Sequence, residues 1–566
     1  SRSGRIGLMD LVPRVKKMWA VQPDDIMKLS GEITQALQRE EEDFPGSMPD
    51  ETTMRAAYEE LSGRFDGQFG GFGTAPKFPV PHNLLFLLRY GKRNNEPGAL
   101  AIVEKTLRAM RQGGMYDHVG FGFHRYSTDA EWLVPHFEKM LYDQALLTMA
   151  YADAYLATKK EEYRSTAGEI LGYVLRDMTD SRGGFYSAED ADSEGEEGKF
   201  YVWAREEIYA LLPPADADLA ARVFNVTREG NFSDSVTSER PGTNILHLSK
   251  PLEQTAAELN MQPDALRDRL NVAIEKLFAA REKRIHPYKD DKILTDWNGL
   301  MISALAKAAQ AFHNTGYADA AERAAAFILG QMRNSEGRLL HRYRDGEASL
   351  PAHVDDYAFF ISGLLDLYET VFDCKYLEAA LELNRAFMQH FWDKKRGGFY
   401  FTADDTEEIL VRKKEIHDAA LPSGNSVAML NLLRLGHMTG DADLEEKALL
   451  IGRCFANAIR EYPAAYAYLM AAVDFATGPA FEVVIAGDSE SEDTKALLRA
   501  LMAEFLPNKV VLLRPCEQKS PDIDRISGFT QVHESADGKP LAYICRGRNC
   551  RLPVSDIGRM LELLHA

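Results

Sequence analysis

The sequence predicts a mainly α-helical protein whose principal part is an (α/α)6 toroid, a ring of six inner helices surrounded by six outer ones. Amphipathic helical segments alternate with helical segments that are apolar nearly all round, in six pairs between about residue 50 and residue 478. Helices of the second kind must be buried, whereas amphipathic helices can cover them from outside. We therefore expect the six apolar segments to form the inner wall of the ring.

Glycine pairs followed by an aromatic residue recur after the amphipathic segments and form a loose internal repeat. Glycine just past the last helical turn is a favoured C-cap because it tolerates a left-handed backbone, so we interpret these pairs as helix ends. The copies are Gly70-Gly71-Phe72, Gly113-Gly114-Met115-Tyr116, Gly183-Gly184-Phe185-Tyr186, Gly397-Gly398-Phe399-Tyr400 and a weaker Glu336-Gly337-Arg338-Leu339.

Five of the six apolar segments open with polar residues, which a toroid would gather around its central axis. Carboxylates, amides and aromatic faces together are suited to sugars, whose hydroxyls need donors and acceptors and whose C–H faces stack on rings. Asp, Ser and Asn are also the preferred N-caps, and the two interpretations are compatible. The openings are His82-Asn83, Tyr142-Asp143, Asp296-Trp297-Asn298, Asp355-Asp356-Tyr357, Ser423-Gly424-Asn425 and, without a polar pair, Pro463-Ala464-Ala465.

Three regions do not follow this alternation. Residues 187–290 are predicted to be an insertion into a toroid of residues 46–478, with a short strand at Gly198–Trp203. Short apolar strands at 481–487 and 509–513, with helices at 493–504 and 557–565, predict a small α/β module over residues 479–566. Residues 1–45 are predicted to be helical.

Composition excludes several classes of partner. With 66 basic and 86 acidic residues the formal charge is -20, and such a surface repels phosphate backbones and anionic lipid headgroups. We therefore expect no nucleic-acid or membrane partner. The chain shows no apolar signal core at its N-terminus, which predicts a cytoplasmic protein.

No residue pattern predicts a cofactor or a metal. Among the five cysteines, Cys545 and Cys550 lack the second pair that a zinc site of this kind needs. The other three, Cys374, Cys454 and Cys516, are expected to be buried thiols. Walker-type, G-x-S-x-G, H-E-x-x-H and C-x-x-C motifs are missing from the sequence.

The densest group of polar residues is the long loop that leads into the second apolar segment. Loops of this length inside a compact domain are usually functional. A histidine of near-neutral pKa beside a glutamate whose pKa is raised by burial is a natural acid–base pair. We therefore take His136, Glu138 and His124 as candidate catalytic residues. The candidate substrate-binding residues of this loop and of the helix after it are Tyr116, Asp117, Arg125, Trp132 and Asp143.

Further candidates lie in the acidic run at 189–194 and at the other openings. The run lacks the glycine-turn spacing of an EF-hand loop, and its carboxylates are expected to contribute to the pocket wall. The remaining candidate catalytic residues are Asp190, His353 and Asp356. The remaining candidate substrate-binding residues are Asp192, Trp297, Asn298 and Asn425.

Several strings resemble a known family, the thioredoxin-domain-containing, spermatogenesis-associated type that is catalogued as a domain of unknown function. The resemblance covers nearly the whole chain, and its most specific string is Trp132–Asp143 (W-L-V-P-H-F-E-K-M-L-Y-D). The other strings are Ala75–Pro79, Gly183–Gly198, Leu294–Met301 and Leu421–Ser426. It implies a thioredoxin-like domain followed by a six-hairpin toroid similar to those of N-acylglucosamine 2-epimerases, cellobiose epimerases and several glycosidases. Residues 1–45 would then be the last helices of a truncated thioredoxin-like domain.

Three functional hypotheses stay open at this point, and they rest on analogy of fold. The first is a sugar epimerase or isomerase in which His136 or His353 moves a proton next to a carbonyl and a second group returns it. The second is a glycoside hydrolase that uses two carboxylates, Glu138 with Asp190 or Asp356. The third is a non-catalytic binding or scaffold partner of a thioredoxin-like redox domain. In the first two the ligand is a small sugar.

Overall fold

A computed structural model describes residues 6–39, 45–232, 242–407 and 410–565. The chain begins with two helices, α1 (Leu8–Val21) and α2 (Pro23–Arg39), which confirm the helical prediction for this region. They contact each other, and most of their large apolar side chains are exposed. Their relation to a thioredoxin-like domain stays a prediction.

The helices that follow alternate between outer and inner positions of the ring. Its first five helices are α3 (Glu51–Arg64), α4 (Pro81–Asn94), α5 (Pro97–Gln112), α6 (Leu141–Thr158) and α7 (Glu161–Asp177). Four further helices belong to the inserted segment: α8 (Arg205–Leu211), α9 (Pro214–Val223), α10 (Leu252–Glu258) and α11 (Pro263–Arg281). The rest of the ring is α12 (Thr295–Phe312), α13 (Thr315–Gln331), α14 (Val354–Val371), α15 (Cys374–His390), α16 (Gly424–Thr439), α17 (Ala442–Cys454), the short α18 (Ala456–Glu461) and α19 (Ala467–Thr477).

The inner wall of the ring is closed. In the described residues, α6 packs on α12, α12 on α14, α14 on α16, α16 on α19, α19 on α4 and α4 back on α6. These are the apolar segments of the sequence, and nearly every side chain of α12 and α14 is buried. Each inner helix from α4 to α16 also packs against the outer helix that follows it. The predicted (α/α)6 toroid is therefore confirmed.

Two glycines allow the inner helices α12 and α14 to approach each other closely. A Cβ atom on Gly299 would lie 2.5 Å from the main-chain carbon of Phe359, and one on Gly363 would lie 2.6 Å from the carbonyl oxygen of Gly299. Both obstacles are backbone atoms, which cannot turn away as a side chain can. The pair therefore fixes the distance between the two helices that carry the residues of the candidate site.

We expect Gly299→Ala to lower the free energy of unfolding by about 3 kcal/mol or more, since it overpacks a contact between two backbones. Urea denaturation followed by circular dichroism measures the change. The matched control is Gly330→Ala in α13, where a Cβ atom meets nothing within 4 Å and where alanine should stabilise the helix by about 0.5–1 kcal/mol. Equal effects of the two substitutions would contradict the close approach.

Four of the five predicted glycine copies form turns beyond the helix end, whereas Gly113 directly follows α5 as its C-cap. Helix α7 ends at Asp177, yet Gly183 follows six residues later with φ +110°, and Gly397 and Gly398 stand similarly beyond α15 with φ +79° and +77°. Gly113 caps α5 with an extended backbone, φ -67°, and not a left-handed one. For the four other copies the C-cap interpretation is wrong because the helix ends first. The chain then turns back on these glycines, so that the aromatic residue after them pairs with the residue that follows the helix, as in Thr179 with Phe185 and Trp392 with Phe399.

Short strands stabilise the loops at one end of the ring. In the long loop these are β1 (Tyr126–Ser127), β2 (Pro135–His136) and β3 (Lys139–Met140), and in the inserted segment β4 (Ala188–Glu189), β5 (Asp192–Ser193), β6 (Glu196–Glu197), β7 (Trp203–Ala204), β8 (Thr243–Asn244) and β9 (Lys289–Asp290). A three-stranded sheet of β10 (Ile293–Leu294), β11 (Leu340–Arg344) and β12 (Glu347–Pro351) joins α12 to α14.

The predicted strand at Gly198–Trp203 is wrong over most of its length. Gly198 has φ +77°, and its carbonyl accepts the main-chain N–H groups of Tyr201 and Val202, which closes a turn. The apolar side chains that resembled a strand, Phe200 and Tyr201, are buried in a small cluster around Phe137 instead. Strand pairing starts only at Trp203.

The C-terminal region confirms the predicted α/β character. Its sheet has the strand order β14-β13-β15-β16, with β13 (Phe481–Gly487) parallel to β14 (Lys509–Pro515) and antiparallel to β15 (Leu541–Arg546). The remaining elements are β16 (Asn549–Cys550), α20 (Glu492–Met502), α21 (Asp522–Ile526) and α22 (Ile557–His565). Cys545 and Cys550 form a disulfide, and the other three cysteines are partly exposed and not buried as predicted.

This module covers one end of the ring. Residues of the module between Met502 and Lys509 line a cavity of about 100 Å³ together with inner-helix side chains such as Arg89 and Asp366. Glu369 near the end of α14 accepts the main-chain N–H of Val511. The other end of the ring, where the inner helices begin, is called the mouth below. Across the described ranges, none of the helices is long and apolar enough to span a membrane.

Candidate active site

The mouth is formed by the first turns of the inner helices and the loops that precede them. All six inner helices contribute to it. The polar side chains are those of His82 (α4), Tyr142 and Asp143 (α6), Asp296 and Trp297 (α12), Asp355 and Asp356 (α14) and Ser423, which caps α16. The first turn of α19 contributes the main-chain N–H of Tyr468, which Asp418 accepts together with that of Ser423 at 2.8 Å each. The alternation in the sequence therefore places these polar groups at one end of the ring.

Asp356 is the centre of the largest hydrogen-bonded group at the mouth. The Nδ1 atom of His341 lies 3.0 Å from both Asp356 carboxylate oxygens. One oxygen also accepts the main-chain N–H of His353 at 2.7 Å, and the other accepts that of Asp296 at 3.1 Å. Because Asp356 is 0% exposed, these bonds fix both its position and the orientation of the His341 ring.

Two histidine rings face each other beside this carboxylate. The rings of His341 and His353 lie 5.2 Å apart, edge to face, and the other side of the His353 ring stacks on Phe401 at 4.9 Å. Their side chains keep 24% and 34% of their surface exposed. A bound molecule at the mouth can therefore reach both rings.

The surroundings push the pKa values of the two histidines apart. Burial alone would lower the pKa of His341, but the hydrogen bonds and charge of Asp356, with the nearby Asp296 and Asp355, outweigh burial and raise it to about 9. Burial lowers the pKa of His353, and the neighbouring charge of His341 acts in the same direction, against Asp356. At neutral pH one imidazole is charged and its neighbour is neutral.

Two more carboxyl groups at the mouth have raised pKa values. Burial, followed by repulsion from Asp356, raises the pKa of Asp296 well above its usual range. The same two causes, with Glu415, raise the pKa of Asp355 to about 7. Asp296 and Asp355 thus hold their protons more strongly than ordinary aspartates do, next to the hydrogen-bonded pair of His341 and Asp356.

One nitrogen of each histidine and one oxygen of Asp356 lie within 4.8 Å of one another, close enough to share a cation. His341 Nδ1 points between both Asp356 oxygens as a donor, an arrangement that also orients histidine ligands of metal ions. We interpret the three residues as a hydrogen-bonded acid–base group, and the sensitivity of its activity to chelation separates the two interpretations.

A second ionic group, around His136, lies in the long loop. His136 Nδ1 is 2.7 Å from Glu197, its Nε2 is 3.5 Å from Glu138, and Glu138 accepts a hydrogen bond from Arg125 at 3.0 Å. The hydrogen bonds to Glu138 and Glu197 raise the pKa of His136 to about 9. The hydrogen bond from His136, with Arg125, lowers the pKa of Glu138, so the expectation of a glutamate with a raised pKa is wrong.

An aromatic contact joins the two groups. Arg125 donates to the Tyr142 hydroxyl at 3.2 Å, and the Tyr142 ring meets Trp297 edge to face at 4.9 Å. Trp297 follows Asp296 in the chain and is partly exposed. Burial raises the pKa of Asp143, whose charge interacts with those of Arg125 and Glu138. The residues of α6 thus connect the His136 group to the His341 group across the mouth.

Four predicted site residues of the long loop have their polar atoms occupied inside the protein. The hydroxyl of Tyr116 donates to Glu169, Trp132 Nε1 donates to the carbonyl of Phe69, and His124 Nδ1 contacts the carbonyl of Phe137 at 2.9 Å. Asp117 binds Arg281 and Lys139. All four are buried, and burial lowers the pKa of His124 to about 3. They stabilise the loop and are not at the mouth.

Asn298 and Asn425 connect inner helices to the glycine turns. The side-chain oxygen of Asn298 accepts the N–H of Phe185 at 2.7 Å, and its NH2 group donates to the Phe185 carbonyl at 3.0 Å. Asn425 binds Phe399 in the same way at 2.7 and 2.9 Å. Both amides are 0% exposed. They are predicted to bind substrate, but their hydrogen-bonding atoms are already used by the backbone.

The acidic run is placed on the protein surface. Asp190 and Asp192 are exposed, and Asp192 belongs to the small hairpin of β5 and β6. Their described hydrogen bonds stay within the inserted segment. The structure therefore does not bring these two predicted residues to the His341 group, while His353, Asp356 and Trp297 do lie there.

Relatives with known sequences decide the family. Spermatogenesis-associated protein 20 of Homo sapiens is 35% identical over 596 residues, which cover 99% of this chain and 76% of that protein. An uncharacterised protein of Caenorhabditis elegans is 33% identical over 597 residues, covering 99% of this chain and 80% of that protein. The chain belongs to the spermatogenesis-associated protein 20 family. No protein-family model matches it.

Solved structures similar to this family member include sugar-converting proteins. A cellobiose 2-epimerase from Bacillus thermoamylovorans has a TM-score of 0.45 at 10% identity and covers 73% of this chain and 87% of its own. A D-mannose isomerase has a TM-score of 0.44 at 13% identity, covering 72% and 86%. A GH76 α-mannanase from Bacteroides thetaiotaomicron has a TM-score of 0.44 at 13% identity, and the match covers 75% of this chain and 95% of that protein's chain. At this level of similarity nothing about the reaction follows.

The main residue missed by sequence reasoning in this member of the spermatogenesis-associated protein 20 family is His341. It lies on β11 and not at a helix opening. A signal for its placement exists, because Asp345-Gly346 between alternating residues is typical of a β-hairpin, and this hairpin leads directly into α14. The pairing of His341 with Asp356 is a tertiary contact that no local pattern specifies.

Proposed function

We propose that the protein is a carbohydrate-active enzyme of the epimerase or isomerase type, in which the paired imidazoles of His341 and His353 move a proton next to a sugar carbonyl. The observation that carries the proposal is the geometry of the pair. Two histidine rings in contact share one buried carboxylate, and both are accessible from the mouth. Epimerisation and isomerisation need two groups that exchange proton-donor and proton-acceptor roles.

The roles follow from the surroundings of each ring. His353, neutral at pH 7, accepts the proton from the carbon next to the carbonyl of an open-chain sugar. His341, kept charged by Asp356, donates a proton to the carbonyl oxygen or to the opposite face of the same carbon. General acid–base groups work best when their pKa values lie near the working pH and on either side of it. Asp296, whose pKa is raised, is a further acid–base group beside the pair.

The side chains around the pair are suited to a sugar. The Trp297 and Phe401 rings are partly exposed and offer apolar faces to C–H groups. Arg125, whose side chain is 37% exposed, can donate hydrogen bonds to sugar hydroxyls. The carboxyl group of Asp355 can donate or accept them. A small polyhydroxylated ligand at the mouth would therefore find apolar ring faces for its C–H groups and hydrogen-bonding partners for its hydroxyls.

Incubation of the protein with aldoses, N-acetylated aldoses and disaccharides in D2O tests the proposal, with NMR detection of deuterium next to the carbonyl. We expect deuterium in at least one sugar, together with its epimer or ketose isomer, and we expect the exchange to survive EDTA. Exchange that is lost on chelation would assign the His341 group to a metal ion and overturn the acid–base assignment. Absence of exchange from every sugar would also overturn it and favour the non-catalytic hypothesis.

The rate of this exchange should depend on pH in a bell-shaped manner. His353 must be neutral, so the rate should rise with pH as it loses its proton below its ordinary pKa of 6.5. His341 must be charged, so the rate should fall again as pH passes about 9. Initial rates between pH 4 and pH 11 measure both limbs. A rate that keeps rising above about pH 10 would contradict the role of His341 as acid.

A glycoside hydrolase is the second candidate function, and the neighbouring carboxyl groups of Asp356 and of Asp296, whose pKa is raised, favour it. An acid and an ionised carboxylate on the two sides of a glycosidic bond are the requirement of that reaction. The predicted pairs of Glu138 with Asp190 or Asp356 have less support, since Glu138 is ionised and Asp190 lies at the surface. Release of reducing ends without deuterium exchange would select this function over the first.

A further inference from the structure

The second site of interest lies in the C-terminal α/β region. There β15 and β16 place Cys545 directly opposite Cys550, and the two residues are joined by a disulfide. His533, twelve residues earlier in the chain, reaches the same place, with Nε2 4.0 Å from the sulfur of Cys550. One nitrogen of this histidine and both sulfurs lie within 4.8 Å of one another.

The histidine is held in this position by packing. His533 is 4% exposed, and its ring meets Tyr543 edge to face at 4.4 Å and Phe529 at 6.2 Å. Tyr543 is itself fixed, because its hydroxyl donates to the carbonyl of Glu534 at 2.8 Å. Two cysteine sulfurs and one imidazole nitrogen thus lie together. Two thiolates and one imidazole are a set of ligands that zinc and other thiophilic cations prefer.

The site opens into a groove of about 670 Å³. The groove is lined by Cys545, Cys550 and His533, and also by Glu482, the cross-strand partner of Cys545 on β13. One oxygen of Glu482 lies 2.7 Å from His437, and the other is buried without a hydrogen-bond partner in the described part of the chain. A cation held by three protein ligands would therefore have its fourth position facing the groove.

We propose that Cys545, Cys550 and His533 form a redox-controlled binding site for a thiophilic divalent cation such as Zn²⁺. In the disulfide form both sulfurs are bonded to each other and the site is closed to the ion. A dithiol reductant supplies two electrons and two protons, becomes a disulfide itself, and leaves two cysteine thiols. The cation then displaces the two thiol protons and binds two thiolates and the neutral His533.

The test compares the oxidised and reduced full-length chain, each freed of metal, by competition for Zn²⁺ with a chromophoric chelator. We expect the reduced chain to bind one Zn²⁺ more than the oxidised chain and to release two protons per ion. With Co²⁺ as the probe, the reduced chain should show the charge-transfer band of thiolate ligation. Equal zinc binding by the two forms, or a cobalt spectrum without that band, would overturn the proposal.

Matched variants locate the site. Cys550 is exposed, so Cys550→Ser should leave the fold intact and weaken Zn²⁺ binding to the reduced chain at least about 100-fold. The control is Cys516→Ser, which removes a partly exposed cysteine outside the group and should leave the zinc affinity unchanged. His341→Gln should also leave it unchanged. Wild-type affinity in Cys550→Ser, or loss of the extra ion in Cys516→Ser or His341→Gln, would contradict the assignment.

Discussion

Replacing His341 with glutamine is expected to lower kcat/KM for the sugar found in the deuterium experiment by about 10²–10⁴-fold, the range typical of a lost general acid–base group. Glutamine keeps a donor towards Asp356 but cannot carry the proton that His341 holds up to about pH 9. The fold should be unaffected, because 24% of the His341 side chain is exposed and it lies on a strand outside the inner wall.

The matched control for this substitution is His390→Gln. His390 also pairs with an aspartate, its Nδ1 atom 2.9 Å from Asp404, but it ends the outer helix α15, and its described hydrogen bonds and ion pairs do not include His341, His353 or Asp356. We expect its kcat/KM to stay within about twofold of the wild type. A His341→Gln protein that is folded and as active as His390→Gln would remove His341 from the proposed mechanism.

Replacing Asp117 with asparagine is expected to lower the free energy of unfolding by about 3–5 kcal/mol, which is the usual effect of breaking a buried ion pair from one side. Asp117 accepts hydrogen bonds from Arg281 at 2.8 and 2.9 Å and from Lys139 at 2.9 Å. All three side chains are buried. Asparagine removes the carboxylate that both buried cations bind, whereas a residue that only binds substrate would tolerate the change.

The pH dependence of this effect has a definite sign. Burial alone would raise the pKa of Asp117, but the charges of Arg281 and Lys139 outweigh it and hold the pKa well below its usual value of 3.8. A group with a lowered pKa stabilises the fold above its unfolded-state pKa and loses that contribution as pH falls through its folded-state pKa. The difference between wild type and Asp117→Asn should therefore be constant above about pH 5 and shrink in stronger acid.

Asp216→Asn is the control for the ion pair. Asp216 contacts Arg269 at 2.7 Å, as short as the Asp117 contacts, but the two side chains are 24% and 40% exposed. Exposed pairs contribute about 0–1 kcal/mol, so this variant should unfold at nearly the wild-type urea concentration. Similar destabilisation by the two substitutions would show that Asp117 is not a buried structural anion.

The ring could be predicted from the sequence because each inner helix carries its own evidence of burial. Segments such as 295–312 and 354–371 are apolar all round, and only an inner position in the ring removes all of their faces from water. The glycine turns could not be assigned in the same way. A glycine such as Gly183 occurs near the end of a helix in the sequence whether it caps the helix or forms a turn after it. The two cases differ only in where the helix ends, which here is Asp177, six residues before Gly183.

The site was partly predictable for a related reason. His353 and Asp356 lie at a helix opening, so the toroid alone places them at the mouth. Asn298 lies at an opening too, but its side chain turns back to Phe185, and helical position does not reveal that direction. His341 comes from a strand, and its role depends on a contact with a residue fifteen positions later.

Histidine NMR on the isotope-labelled protein tests, without any substrate, whether the His341–His353 pair is held in opposite protonation states at neutral pH. The two ring signals are assigned with His341→Gln and His353→Gln and followed between pH 4 and pH 11. We predict that His353 loses its proton below pH 6.5 and that His341 keeps its proton until about pH 9. A neutral His341 ring at pH 7, or one shared transition of both rings near pH 6.5, would contradict the acid–base roles of the two histidines.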